Sequence, residues 1–188
     1  MTRVFLAAIV VGAMATAGVV YGQGRDMPAS ERGNAPRPGA SEDSSAFVRN
    51  MAMAGMAEVE LGKLAAQRAT NAEVKAFAQM MIKDHTAAND ALKQVATSTN
   101  VTLPTGLDQT HRDLSTRLSK LQGAEFDREY MAAMVSGHEK VLAQITTMEA
   151  SPAGTAGDRG ARQWADEHRP IVQRHLEHAR AIQANVAR

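Results

Sequence analysis

Read in alternating steps of three and four, the stretch 126–145 brings Asp127, Met131, Met134, His138, Val141 and Ile145 onto one helix face, with Met148 beyond. That face is apolar except for an acid at its start and an imidazole at its centre. Three other segments carry the same anomaly. Glu58 interrupts the stripe Phe47, Met51, Ala54, Leu61 and Ala65, and His85 interrupts Val74, Phe77, Met81, Ala88 and Leu92. His168 and His175 share a face with Trp164, Ile171, His178 and Ile182. Imidazoles and a carboxylate facing inward from separate helices are the ingredients of a metal site. Without a metal they need hydrogen bonds or charge pairing to offset desolvation, and a buried Glu58–histidine network that fixes helix register is the competing reading.

Heights along the helices indicate which of these groups share a layer. With a turn near residue 70, Glu58 lies 12 residues before it and His85 lies 15 after it. His138 is 15 residues from Gly123 and 16 from Gly154, so it falls in the same central layer whichever end its helix starts from. His168 is 14 residues from Gly154 and fits that layer; His175 stands two turns further on, roughly 10 Å away. The spacing alone leaves both open. Asp84, beside His85, and Asp127 are acids placed to orient imidazoles or to face solvent. His111 carries no evident role, and His175 with His178 forms an HLEH pair.

The elements that must position these residues are four long amphipathic segments. The first runs from about Ser44, with Ser44 or Ser45 as cap, to Arg68; the second begins near Asn71, which can cap it. The short connection between them predicts an antiparallel hairpin. The connection from 97 to 126 contains Asn100, Pro104 and Gly106, then a leucine pattern that predicts a short extra helix. Its length allows it either to span the molecule or to cap one end. The third long segment runs to about Glu149 and the fourth follows SPAGTAGD, with Pro170 placed to kink or divide it. With no convincing strand, the pattern is that of an all-α helix bundle, its methionines serving as adaptable core filler rather than copper ligands.

Residues 1–22 have the layout of a secretory signal: a basic start at Arg3, an apolar run, and an A-x-A-like site at Ala15-Thr16-Ala17, with Gly22 as the second choice for cleavage. The run is short for a membrane span of about 20 residues. Residues 23–43 are rich in Gly, Pro, Ser and mixed charge and read as a flexible tether, leaving 44–188 as one domain. Removing Arg3 leaves 20 basic against 20 acidic residues, so nucleic acid is not an expected partner. The chain has no cysteine, so no disulfide supports the fold.

The motifs GMAEVELGKLA, FAQMMIKDHTAAND, FDREYMAAMVSGHEKVL and RPIVQRHLEHA, in this order between Ser44 and Val186, resemble the exported bacterial family known as domain of unknown function 4142. The resemblance implies a ferritin-like four-helix bundle in the periplasm or at the outer membrane. It directs interest to positions Glu58, Asp84, His85, Asp127, His138 and His175, favouring His175 over His168. One departure from ferritin-like enzymes bears on chemistry. Di-iron bundles use Glu-x-x-His pairs, whereas Ile82, Val135 and Val172 stand three residues before His85, His138 and His175. The expectation is therefore a non-enzymatic metal-binding protein, with zinc or copper favoured over di-iron. Glu58, His85, His138 and His175 would be ligands, and Asp84 and Asp127 would orient them. The alternative is a structural or interaction module of the envelope. An envelope protein, a membrane surface or a second copy of the chain are the partners open to it.

Overall fold

The computed structural model describes residues 39–187, in which the amphipathic periodicity forms five α-helices and no strand. They are α1 (Glu42–Arg68), α2 (Ala72–Thr99), α3 (Gln109–Ser119), α4 (Gly123–Ala150) and α5 (Ala156–Val186). The expected signal and the tether as far as residue 38 lie outside the described residues. Local chemistry starts most of the helices. The Asn71 side chain accepts from the Glu73 and Val74 amides, Asp108 from the His111 amide, and Thr155 forms a reciprocal capping box with Asp158. The cap of α1 is Ser41, not Ser44 or Ser45; Ser44 is buried in the first turn instead. Residues at the end of the expected tether are fixed in place. Ser41 donates its amide to Asp158 at 2.8 Å, and Gly39 accepts from the Gly157 amide at 2.9 Å.

A few polar contacts set the directions of the long helices. Asp127, near the start of α4, accepts from the Thr70 hydroxyl at 2.6 Å and from the Asn71 amide at 2.9 Å. The starts of α2 and α4 therefore lie at one end of the molecule. Ser41 and Asp158 join the starts of α1 and α5 at the other end. It follows that α2 and α4 run parallel, and the connection through α3 returns along the length of the molecule rather than capping one end. Neighbouring long helices pack in the cycle α1–α2–α5–α4. Within it, α1 and α2 approach closely. A side chain at Gly62 would meet Ile82 Cγ1 at 2.9 Å and the Ala78 carbonyl at 3.1 Å. The chain passes Pro170 without dividing α5, because the ring and Asp166, whose carbonyl loses its amide partner, are both exposed.

The apolar side chains form two clusters. One contains Phe77, Met81, Phe126, Tyr130, Met131 and Met134; the other contains Phe47, Met51, Leu92, Ile145, Met148 and Trp164. In sequence, His85 falls between Met81 and Leu92, and His138 between Met134 and Ile145. The imidazoles thus form a polar layer between two apolar halves. Burying that layer is costly unless something satisfies it.

Asp127 also makes a stability prediction. Its carboxylate, 2 % exposed, serves donors of Thr70 and Asn71 that α2 itself cannot satisfy. Asp127→Ala is expected to cost about 2 kcal/mol of unfolding free energy, read as a lower urea midpoint at unchanged slope. Loss of less than about 0.5 kcal/mol would mean that the α1–α2 turn does not depend on this link.

Candidate metal centre

His85 from α2, His138 from α4 and His175 from α5 converge. Their ring centroids are 5.6, 5.5 and 5.5 Å apart, and one ring nitrogen of each lies within 4.8 Å of the other two. Side-chain lean explains why His175 reaches the layer and His168 does not. Helical side chains tilt towards the N-terminus of their own helix. Because α2 and α5 are antiparallel, paired at Val95 with Gly160 and at Glu73 with Asn185, His85 and His175 lean towards each other. His168 leans the other way and stacks on Trp164 with centroids 4.0 Å apart, donating Nδ1–H to the Trp164 carbonyl at 2.8 Å.

The hydrogen bonds define which nitrogens are free. His138 donates Nδ1–H to the Met134 carbonyl at 2.8 Å, and His175 donates Nε2–H to Asp84 Oδ2 at 3.0 Å. The opposite nitrogens, His138 Nε2 and His175 Nδ1, consequently present lone pairs. Both are buried without a partner, as is His85 Nε2. Burial, with the neighbouring imidazoles adding to it, lowers His85 from 6.5 to about 3. Burial lowers His138 to about 4 against the opposing Met134 hydrogen bond. His175 is also lowered by burial, although its bond to Asp84 pulls it back up. All three imidazoles are therefore neutral at pH 7, the form that ligates a metal.

A space of about 30 Å³ adjoins the imidazoles, with Met51, Ala54, Val141 and Trp164 among its walls. A water or a metal ion fits there, and little else does. A tetrahedral ion with bonds of about 2.0–2.1 Å would bring the three nitrogens to about 3.4 Å from one another. From within 4.8 Å of one another, the nitrogens would have to close by up to about 1.4 Å to reach that geometry.

Two expected residues lie elsewhere. Glu58 is buried on the inner face of α1, but it is not one of the converging donors. Its Oε1 is 3.7 Å from His138 Nδ1, the nitrogen already bound to Met134, and it rests against the backbone at Gly137. Its Oε2 has no partner, and burial raises its pKa to about 8, so the carboxyl is protonated at neutral pH. Asp127 does not orient an imidazole at all, since its carboxylate is used on Thr70 and Asn71 at the α1–α2 turn. Asp84 does touch an imidazole, that of His175. His178 packs edge-on against Phe77 at 5.5 Å rather than pairing with His175, and His111 bonds Asp108, the cap of its own helix α3. Tyr130 went unnoticed in the sequence because its apolar ring suits the stripe. Its hydroxyl is nevertheless buried and unpartnered, and burial, reinforced by Glu58, pushes the phenol well above its ordinary value.

Fold and cluster together define, over the described residues, an all-helical protein with three neutral imidazoles, two buried and that of His85 half-buried, of the kind that can hold a metal ion. The chain belongs to the family described as domain of unknown function (DUF4142), whose pattern matches residues 29–182. No curated protein and no solved structure matched it.

Proposed function

We propose that this protein is an exported four-helix bundle of ferritin-like topology that binds one transition-metal ion in the cell envelope, through His85, His138 and His175. The observation that carries the reading is the set of inward nitrogens left without partners, two of them fixed as acceptors by the bonds on their other edges. Buried polar atoms are ordinarily satisfied, and one cation satisfies all three at once. Neutral nitrogen donors suit zinc or copper. The Glu-x-x-His pairs of di-iron bundles are missing. Three protein ligands leave a coordination position open, to be filled by water or a molecule of similar size because the adjoining space is only about 30 Å³. So small a space favours binding over turnover of a larger substrate. Helix topology supports the ferritin-like reading: four long helices pack in a cycle, with a crossover between the parallel pair α2 and α4. No described helix is long and apolar enough to cross a membrane, and the signal-like sequence of residues 1–22 supports export.

The rival is a polar layer that serves only to fix helix packing. It accounts for the bonds His175–Asp84 and His138–Met134, but it leaves the three imidazole nitrogens unsatisfied. Metal analysis of protein purified without a histidine tag separates the two readings. About one zinc or copper per chain is expected, and none in any preparation favours the packing layer. Asp84→Asn supplies a finer test. It weakens the charge-assisted hold on His175 Nε2–H and should reduce metal affinity about 10- to 100-fold without removing the ion's ligands. Competition against a chromophoric chelator reads that change.

A further inference from the structure

Two of the imidazoles are buried and that of His85 is half-buried, and one seam beside them stands open. A groove of about 850 Å³ runs between α1 and α4, with α3 along its flank. Small residues on the facing helices, Ala57, Ala133, Ser136 and Gly137 among them, leave this space unfilled. The groove and the small space at the imidazoles share three wall residues, Ala54, Glu58 and Val141. Glu58 is the polar one. Its side chain is 10 % exposed, and its Oε2 has no partner. The opening beside it exists because Gly137 has no side chain: a Cβ there would sit 3.3 Å from Glu58 Oε1.

Two of the other seams are spanned by side chains at this level. Between α1 and α2 the Asn89 side chain lies over Gly55, where an added Cβ would fall 2.1 Å from Asn89 Oδ1. Between α2 and α5 the Asp84–His175 bond and the Trp164 indole, which donates to the Ala88 carbonyl at 3.4 Å, span the gap. Building on the metal-binding reading, we propose that the α1–α4 groove is the path by which a small divalent cation reaches His85, His138 and His175. Glu58 is the first buried donor the cation meets, and Gly137 is the gap that keeps Glu58 open to the groove. The carboxyl group is thus a transient contact on the way in. This gives a role to an inward acid that stands outside the converging imidazoles.

Uptake kinetics test the path separately from the site. Metal-free full-length protein is mixed rapidly with cobalt(II), and growth of the visible d–d bands is followed for wild type, Gly137→Ala and Gly137→Val. Alanine is the better helix former, so the first variant guards against a folding defect in the second; circular dichroism checks both. The expected result is a graded slowing, about tenfold or more for valine, with the final band amplitude equal to that of wild type. Wild-type rates in both folded variants would overturn the path and leave the metal site standing. No bands in wild type would overturn the site and the path together.

Discussion

Replacing His138 by alanine is expected to lower zinc affinity by two to three decades. A structural zinc site contributes about 10–16 kcal/mol of apparent binding free energy. One ligand in four carries about a quarter of that, and each tenfold in affinity corresponds to about 1.4 kcal/mol. His85→Ala should behave alike, because its Nε2 is an equal member of the cluster. Glu58→Gln should stay within about tenfold of wild type at equilibrium, since its carboxyl faces His138 Nδ1 and not the free nitrogens. Thermal unfolding gives an independent readout. Zinc at about 1,000 times its dissociation constant stabilises wild type by about 4 kcal/mol, a rise in Tm of about 8–16 °C for a domain of this size. That rise should shrink to about 1–6 °C in His138→Ala, for which the same zinc concentration is only about 1–10 times the dissociation constant. An undiminished rise in the variant would show that zinc binds elsewhere.

Metal-free protein should lose stability as the medium is acidified below pH 6.5. His85 and His138 have folded values of about 3 and 4, below the ordinary 6.5, and His175 is lowered in the same direction. The unfolded chain therefore takes up protons first. The stability these groups contribute is complete above pH 6.5 and is lost as the pH falls towards 4. Glu58 acts with the opposite sign. Its folded value of about 8 lies above the ordinary 4.5, so its contribution is complete below pH 4.5 and is lost as the pH rises through 8. Between pH 4.5 and 6.5 the imidazoles outnumber the single carboxyl. The net slope there is about 1.4 kcal/mol per pH unit for each group in excess. Metal-free stability should peak near pH 6–7 and decline on both sides. Urea unfolding across pH 4.5–8.5 reads the profile. His85→Leu should flatten its acid limb and Glu58→Gln its alkaline limb; a level wild-type profile would contradict burial of these groups in their neutral forms.

The helices were legible because apolar residues recur at helical spacing, and so were His85 and His138, which stand in the middle of otherwise apolar stripes. Residue counting placed His138 correctly at mid-height whichever way its helix ran. It could not decide between His168 and His175, because it treats each side chain as level with its Cα. Lean along antiparallel helices moves the His85 and His175 rings towards each other and takes His168 to Trp164. Glu58 was read as inward, and it is, but periodicity does not say which neighbour a long carboxyl meets. The absent side chain at Gly137 supplies that answer. Asp127 falls on the inner stripe and so looked like part of the site. Its real signal was its place near the start of α4, where it reaches the α1–α2 turn across the end of the molecule. The same contact settles the crossover direction, which loop length had left open. Ser41 as the cap of α1 was hidden because its strongest partner, Asp158, is remote in sequence.

Diffraction from crystals grown with zinc, collected just above and just below the zinc absorption edge, tests metal binding most directly. One anomalous peak per chain is expected, bounded by His85 Nε2, His138 Nε2 and His175 Nδ1, the three buried imidazole nitrogens that lack partners. Peaks confined to surface carboxylates or to exposed histidines, with those three nitrogens still unligated, would contradict it.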